Sequence, residues 1–202
     1  MSSVGLRETK KERTRQALID AAAELFERRG YDRTTVADIA AAADISTRTF
    51  FSYFASKEEL VFPEADDRVR AVVEAIASRG ELDGPADVLM RALHNVHEAS
   101  GEILSPLAVL RIRLIQTVPA VRGRAMRVQL DAQREIAGHL LAAFPDDLDE
   151  VDAAALVGAF VGAISGALQV LLTGDHDAAT TRERLREATV KALRPWMRSR
   201  SD

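Results

Sequence analysis

The spacing of apolar and polar positions predicts helices along the whole chain. Over the first thirty residues, apolar side chains such as Leu18, Leu25 and Phe26 recur at three- and four-residue intervals, and two arginines precede Gly30. This spacing is typical of a helix that buries one face, and a glycine after basic residues is typical of a helix C-terminus. We predict a first helix that begins between residues 7 and 12 and ends at Arg29.

Prolines divide the later chain into further helical segments. Pro63, Pro106 and Pro119 each mark a boundary, because proline interrupts a helix interior but fits its first turn. The predicted segments are 57–62, 63–78, 85–98, 106–117, 120–144, 150–173 and 178–196. A capping box of Ser56 and Glu59 is predicted to start the first of them. No stretch alternates apolar and polar residues over the length of a strand, so the sequence predicts an all-α fold of about nine helices.

Residues 34–60 predict two short helices joined by a tight turn. Thr34 and Thr35 are N-cap candidates for a helix over residues 36–43, where apolar positions follow at helical spacing. Asp44 interrupts this pattern and tolerates the left-handed conformation that a tight turn needs. Ser46 is then predicted to cap a second helix over about residues 47–54.

The second helix separates its apolar and polar sides. Phe50 and Phe54, four residues apart, are predicted to pack in the core, while Ser46, Thr47 and Arg48 stand near its N-terminus. A helix-turn-helix needs this arrangement, because short polar or basic side chains at the start of its second helix reach base edges in the DNA major groove. On this spacing alone, an ordinary corner between two helices is the alternative.

The stretch from Gly30 to Leu60 also resembles a known family. It reads G-Y-x-x-T-T-V-x-D-I-A-x-x-A-x-I-S-x-x-T-F-F-x-Y-F-x-S-K-E-E-L, which is similar to the N-terminal signature of the tetracycline-repressor (TetR) family of bacterial transcriptional regulators. Asp44 departs from the common glycine, and Phe51 departs from the common tyrosine. The resemblance implies a helix-turn-helix DNA-binding domain over residues 1–56 and a larger helical effector-binding and dimerisation domain over residues 57–202.

The resemblance also implies which side chains meet DNA. Together with the polar start of the second helix, it predicts as DNA-binding residues Thr35, Ser46, Thr47, Arg48, Phe51, Ser52, Tyr53 and Lys57. Of these, Thr35, Tyr53 and Lys57 are expected to contact phosphates and the others to face bases. For Tyr53 the alternative is a residue at the rim whose hydroxyl faces water. Arg48 has the fork geometry to bind guanine O6 and N7 together. Phe51 lacks the hydroxyl of the common tyrosine, so packing on a thymine methyl or on a sugar is open to it.

Charge is distributed unevenly along the chain. The 202 residues carry a net charge of −4, which at first disfavours a nucleic-acid binder. Residues 1–15, however, contain five basic and two acidic residues, a local net charge of +3, and only the surface that meets phosphate must be positive. Because the chain has no cysteine and no apolar run after Met1, we expect a cytoplasmic protein without a signal peptide.

Residues 153–172 form an uncharged run of twenty residues that is long enough to span a bilayer. Its many alanines and glycines favour instead a buried helix that packs closely on a partner, so we expect no membrane span. The resemblance implies that the last two helices form a four-helix bundle with those of a second subunit, and a pseudo-palindromic DNA site also requires a two-fold dimer. The predicted interface residues are Val157, Gly158, Phe160, Val161, Gly162, Ile164, Leu168, Leu171, Leu185, Val190 and Leu193.

Patterns for catalysis and metal binding are weak. His94 and His97 share a helix face, but only Glu98 stands near them as a further ligand, so we expect no metal and no other cofactor. The sequence shows no catalytic triad, phosphate-binding glycine loop or carboxylate pair, and we predict no enzyme activity.

The preferred hypothesis is a homodimeric repressor that binds an operator in double-stranded DNA. A small apolar or amphipathic effector would release it by favouring a conformation that fits the operator poorly. The predicted effector pocket is lined by Met90, His94, Arg111, Leu114 and Phe160. The alternatives are a DNA-binding regulator that responds to no ligand, and a helical enzyme or metal-binding protein whose corner imitates a helix-turn-helix.

Overall fold

The structure, a computed structural model, describes residues 3–63, 65–100 and 105–197, except for the side chains of residues 3–8 and 96–100. The α-helices are α1 (Ser3–Arg29), α2 (Val36–Ala42), α3 (Thr47–Phe50), α4 (Ala65–Ala77), α5 (Pro85–Ser100), α6 (Pro106–Thr117), α7 (Pro119–Ala143), α8 (Glu150–Leu171) and α9 (Ala178–Leu193). Two 3-10 helices lie at Glu59–Val61 and Arg194–Trp196. The predicted all-α fold is therefore confirmed over the described part of the chain, and so is the number of α-helices.

The helices divide into two compact units. The first comprises Met1–Pro63 and Arg113–Ala125, and the second comprises Glu64–Ile112 and Met126–Asp202. The end of α6 and the start of α7 thus belong to the first unit. The domain boundary expected after residue 56 stays a prediction.

The first unit has its own apolar core. Helix α1 buries Leu18, Leu25 and Phe26, and the predicted core residues Phe50 and Phe54 are buried as well. Each large apolar side chain that leaves water in this way contributes about 1.5–3 kcal/mol of transfer free energy. The core therefore fixes α2 and α3 against α1, which packs directly on α2.

Helix α1 ends where the sequence predicts and begins earlier. The amide of Gly30 donates to the carbonyl of Phe26 over 3.0 Å, and Gly30 has a φ of +84°, so it terminates the helix in the left-handed conformation. The helix begins at Ser3 rather than between residues 7 and 12. Between Ser3 and Glu12 the large apolar residues are Val4 and Leu6 alone, too few to form a stripe, so the hydrophobic spacing did not indicate these first turns.

The segment after α3 differs from its prediction. In place of a short helix over residues 57–62 there is a 3-10 turn at Glu59–Val61, and α4 begins only at Ala65. The predicted capping box with Ser56 is wrong, because the Glu59 carboxylate accepts from the amide of Ala55 over 2.8 Å. The segment before Pro63 is too short for an α-helix to nucleate, and 3-10 hydrogen bonds close it instead.

The second unit is built around α8 and α9, which pack against one another, and around the pair α4 and α5. Leu89, Leu140, Leu156 and Leu193 are completely buried in its core. The hydroxyl of Thr189 is also buried, and it donates to the carbonyl of Leu185 over 2.9 Å, one turn earlier on α9. The polar group is thus satisfied within its own helix.

Helix α8 has more apolar surface than its own chain covers. It is long and apolar enough to cross a membrane by length and composition, with a mean hydropathy of 1.9, yet 22% of its most apolar stretch is buried within the chain. Val151 is 75% exposed and Val170 is 68% exposed. Exposed apolar area on a helix is typical of a surface that contacts another molecule.

Candidate nucleic-acid interface

A tight turn sets the position of α3. Asp44 has a φ of 54°, the left-handed conformation predicted for it. The amide of Ile45 then donates to the carbonyl of Ala40 over 2.9 Å. These two features end α2 and reverse the chain within a few residues, so that α3 starts directly at Thr47.

Both helices of the corner are capped at their N-termini. Thr35 caps α2 in a reciprocal arrangement, in which its hydroxyl accepts from the amide of Asp38 over 3.1 Å and the Asp38 carboxylate accepts from the amide of Thr35 over 2.9 Å. Hydrogen bonds from the Thr35 side chain and backbone hold the pKa of Asp38 below its usual value. Ser46 caps α3, where its hydroxyl accepts from the amide of Thr49 over 3.1 Å. The predicted N-caps Thr35 and Ser46 are confirmed.

Helix α3 presents a mixed surface to solvent. Thr47, Arg48, Phe51 and Ser52 are exposed, while Phe50 is completely buried on the other side. The regular helix ends at Phe50, four residues before its predicted end, and hydrogen-bonded turns continue the chain to Phe54. This is the polarity that a recognition helix requires, with an inner aromatic anchor and an outer face that is free to meet bases.

Several of the predicted contact residues already have partners inside the protein. The Thr35 hydroxyl donates to Asp38 over 2.6 Å, and the Ser52 hydroxyl donates to the carbonyl of Thr49 over 2.6 Å. The hydroxyl of Ser46 is 2.8 Å from that of Thr49. Among the residues described in this corner, Arg48 has no intramolecular ion pair, so its guanidinium is available to a ligand.

Lys57 also has partners within the protein. Its ammonium group donates to the carbonyls of Tyr31 over 3.0 Å and Thr34 over 3.1 Å, and it lies 4.0 Å from the centroid of the Tyr31 ring. Lys57 therefore ties the segment after α3 to the loop between α1 and α2. One of its three N–H groups remains for a phosphate, so the predicted phosphate contact stays a prediction.

Tyr31 completes this cluster. The residue is 5% exposed, and its hydroxyl donates to the carboxylate of Glu58. Burial and the adjacent Glu58 carboxylate raise the pKa of Tyr31 far above its usual value. Burial would raise the pKa of Glu58, but hydrogen bonds from Tyr31 and Ser56 outweigh it and leave the pKa lowered. The sequence signature contains Tyr31, Lys57 and Glu58, but nothing in their spacing indicated that they meet.

The basic N-terminal region divides into exposed and engaged residues. Lys10, Lys11 and Arg13 on α1 are exposed, and the side chain of Arg7 lies outside the described residues. Arg15 instead donates to the carbonyl of Pro63 over 2.5 Å, and its guanidinium lies 5.4 Å from the centroid of the Phe54 ring. The exposed basic side chains of the described helix can thus attract phosphate, while Arg15 stabilises the fold.

Comparison with known proteins decides the family. The model of the family described as "Bacterial regulatory proteins, tetR family" matches residues 18–62, which include α2, α3 and the intervening turn. The HTH-type transcriptional regulator TcmR of Streptomyces glaucescens is 32% identical over 151 residues, which cover 72% of this chain and 67% of TcmR. The chain belongs to the TetR family. It is accordingly a DNA-binding transcriptional regulator, and α2 and α3 form its helix-turn-helix.

Solved structures of TetR-family proteins share the fold. Thermus thermophilus FadR, a TetR-family transcriptional repressor in complex with lauroyl-CoA, has a TM-score of 0.58 and 22% identity, covering 93% of this chain and 97% of FadR. A TetR transcriptional regulator from Rhodococcus sp. RHA1 has a TM-score of 0.55 and 21% identity, covering 90% of this chain and 97% of that one. TetR-family regulators bind DNA operators and small-molecule ligands, typically as dimers.

The residues predicted for an effector pocket do not all lie in one unit. Met90, His94, Arg111 and Phe160 belong to the second unit, whereas Leu114 belongs to the first. Phe160 is part of the core and Met90 packs against that core, while Arg111 is buried and His94 is exposed. The pocket stays a prediction.

The residues predicted for the dimer interface fall into two groups. Val157, Phe160, Leu171, Leu185 and Leu193 are buried in the core of their own protomer, and the interface predicted for them stays a prediction. The residues with surface left to cover are Gly158, Val161, Gly162, Ile164, Leu168 and Val190.

The predicted histidine pair is described only in part. His94 is exposed, and the side chain of His97 lies outside the described residues. Within the described residues, no three His, Cys, Asp or Glu side chains come together as a metal ion would need.

Proposed function

We propose that this TetR-family protein is a homodimeric repressor that holds a pseudo-palindromic operator and releases it when a small molecule binds. The observation that carries the proposal is the exposed face of α3, where Thr47 and Arg48 follow the capping residue Ser46 and Arg48 has no internal ion pair among the described residues. A capped helix with an exposed guanidinium near its N-terminus suits bidentate recognition of guanine in the major groove.

Dimerisation is supported by the surface of α8. Gly162 is exposed, and Gly158, Gly162 and Gly166 recur every four residues along the helix. Glycines at this spacing allow two helices to approach closely, and a two-fold axis places two recognition helices on successive half-sites. The exposed apolar area of α8 would then be covered by the partner and not by lipid, and the protein would act in the cytoplasm.

The effector would bind the second unit. An apolar or amphipathic molecule suits the side chains of Met90 and Phe160, which lie in and against the core of this unit. The effector can lower DNA affinity only if it binds better to a conformation in which the recognition helices do not fit successive major grooves.

The experiment is a titration of the purified protein with the DNA upstream of its own coding sequence, at several salt concentrations, against a scrambled duplex. We expect tighter binding to the native fragment and an affinity that falls steeply with salt, because phosphate contacts release counterions. Equal, weak binding to both fragments would contradict the proposal. Acyl-chain compounds and other amphipathic molecules can then be screened for loss of the complex.

A further inference from the structure

Phe51 is an exposed aromatic residue in the centre of the recognition surface. It is 57% exposed, and its ring packs edge-on against the buried Phe50 ring, with 5.3 Å between centroids and an interplanar angle of 84°. Its backbone is in the right-handed helical conformation, and its amide donates to the carbonyl of Thr47 over 3.2 Å. The ring is therefore positioned by α3 and by Phe50, with much of its surface left uncovered.

The side chains around Phe51 present both apolar groups and hydrogen-bonding groups. Thr47 lies four residues earlier, so its side chain and the Phe51 ring lie on the same side of the helix. The hydroxyls of Ser46, Thr49 and Ser52 are engaged in the cap and the turn. On this surface, hydrogen bonding to bases is left mainly to Arg48 and Thr47, and Phe51 has no donor or acceptor to contribute.

An apolar side chain can distinguish base pairs in the major groove by a single feature. The groove edges of adenine, guanine and cytosine carry hydrogen-bonding groups, whereas thymine also carries a C5-methyl group. Burying that methyl against an aromatic ring removes apolar area from water on both partners. We propose that Phe51, together with the methyl of Thr47, recognises the C5-methyl group of a thymine in each half of the operator. This inference rests on the proposed use of α3 in DNA recognition.

The test compares DNA that differs in this methyl group alone. The bound upstream fragment is amplified once with thymidine triphosphate and once with deoxyuridine triphosphate, which leaves base pairing unchanged and removes the C5-methyl groups. For each thymine methyl that Phe51 buries, we expect the wild-type protein to bind the uracil fragment about 4-fold more weakly, from the transfer free energy of one buried carbon. Single thymine-to-uracil changes in synthetic duplexes then locate the recognised position.

The Phe51→Ala variant makes the assignment specific. Because Phe51 is exposed, the variant is expected to fold, and its circular dichroism and dimerisation serve as the check. It should bind the thymine fragment more weakly than the wild type and should bind the thymine and uracil fragments equally at the located position. The Arg48→Ala variant is the matched control. It should bind both fragments more weakly than the wild type does, but the ratio of its affinities for the thymine and uracil fragments should equal that of the wild type.

Other outcomes would overturn the inference in distinguishable ways. If Phe51→Ala loses affinity equally on both fragments and the wild-type ratio persists in it, the ring packs on a sugar or elsewhere and the methyl is read by another residue. If specific binding persists and the wild type does not distinguish the fragments, Phe51 reads no methyl group. If no specific binding to the upstream fragment is found, the proposed function fails, and the role of Phe51 fails with it.

Discussion

The ammonium group of Lys57 lies 4.0 Å from the centroid of the Tyr31 ring, although 26 residues separate them. The same ammonium group donates hydrogen bonds to the carbonyls of Tyr31 and Thr34. A single side chain thus closes the loop that precedes α2 onto the segment that follows α3. Helix α3 is held from both ends, by the Ser46 cap at its start and by this cluster after its end.

Replacing Lys57 with methionine should lower the free energy of unfolding by about 1–3 kcal/mol, because it removes a cation–π interaction and two charge-assisted hydrogen bonds while it keeps the apolar stem. Urea denaturation followed by circular dichroism measures the change. Lys191→Met, at an exposed position on α9, is the control and should have little effect. If stability is unchanged and DNA affinity drops strongly, the main role of Lys57 is to contact a phosphate and not to stabilise the fold.

Tyr31 should make the fold sensitive to alkaline pH. The pKa of Tyr31 is raised in the folded state above its usual value of 10.0, so the folded protein keeps this proton at a pH where the unfolded chain releases it. The stability contributed by the neutral hydroxyl is complete below about pH 10 and declines as the pH rises above it.

The Tyr31→Phe variant isolates this contribution. It should be less stable than the wild type at pH 8, because Glu58 loses a hydrogen bond, and the difference in unfolding free energy should shrink as the pH rises above about 10. Urea denaturation at a series of pH values from neutral to alkaline provides the measurement. Tyr53→Phe is the control and should keep the wild-type slope, since Tyr31 is still present. If the difference in unfolding free energy between the wild type and Tyr31→Phe stays constant over this pH range, ionisation of Tyr31 does not cause the loss of stability at alkaline pH.

Asp44→Gly should stabilise the turn between α2 and α3. Asp44 occupies the left-handed conformation at a φ of 54°, which glycine adopts without steric strain. We expect a gain of about 0.5–1 kcal/mol in the free energy of unfolding, measured by urea denaturation. Asp44→Val should change stability in the opposite direction, because a β-branched side chain tolerates this conformation poorly. Equal effects of the two substitutions would show that the backbone conformation is not the cause.

These residues also show what the sequence could and could not predict. The left-handed turn at Asp44 and the cap at Ser46 were predictable because each depends on residues within a few positions of itself. The partners of Lys57 are 23 and 26 residues away, and no local pattern indicates them. For the same reason, spacing alone could not tell that Arg15 contacts Phe54 and Pro63, or that Phe160 lies in the protomer core and not on its surface.

Arg48→Ala should weaken binding to the native upstream fragment about 10–100-fold, the discrimination expected of one bidentate arginine–guanine contact. Its binding to a scrambled duplex should change much less, which fluorescence anisotropy at fixed salt can measure. Arg70→Ala is a suitable control, because Arg70 lies on α4 and pairs with Asp67 over 2.9 Å. An equal decrease on both duplexes would assign Arg48 to a phosphate and not to a base.

Gly162 provides a test of the dimer that leaves the protomer intact. It is exposed on α8, and a Cβ placed there would meet no described atom within 4 Å. Gly162→Leu should therefore preserve the fold of the protomer, while its side chain would hold apart two helices that approach closely through glycine. We expect the dimer to dissociate at protein concentrations where the wild type remains associated, as measured by sedimentation.

Gly138→Leu is the matched control for this substitution. Gly138 is also exposed, it lies on α7, and a Cβ there would likewise meet no described atom within 4 Å, so both variants add the same side chain to a helix surface. If the α8 face is the interface, Gly162→Leu alone lowers association. Because each protomer carries one recognition helix, the same variant should then bind the operator with lower specific affinity even though α3 is unchanged. If the Gly162→Leu protein remains fully dimeric, the dimer interface does not include this face of α8.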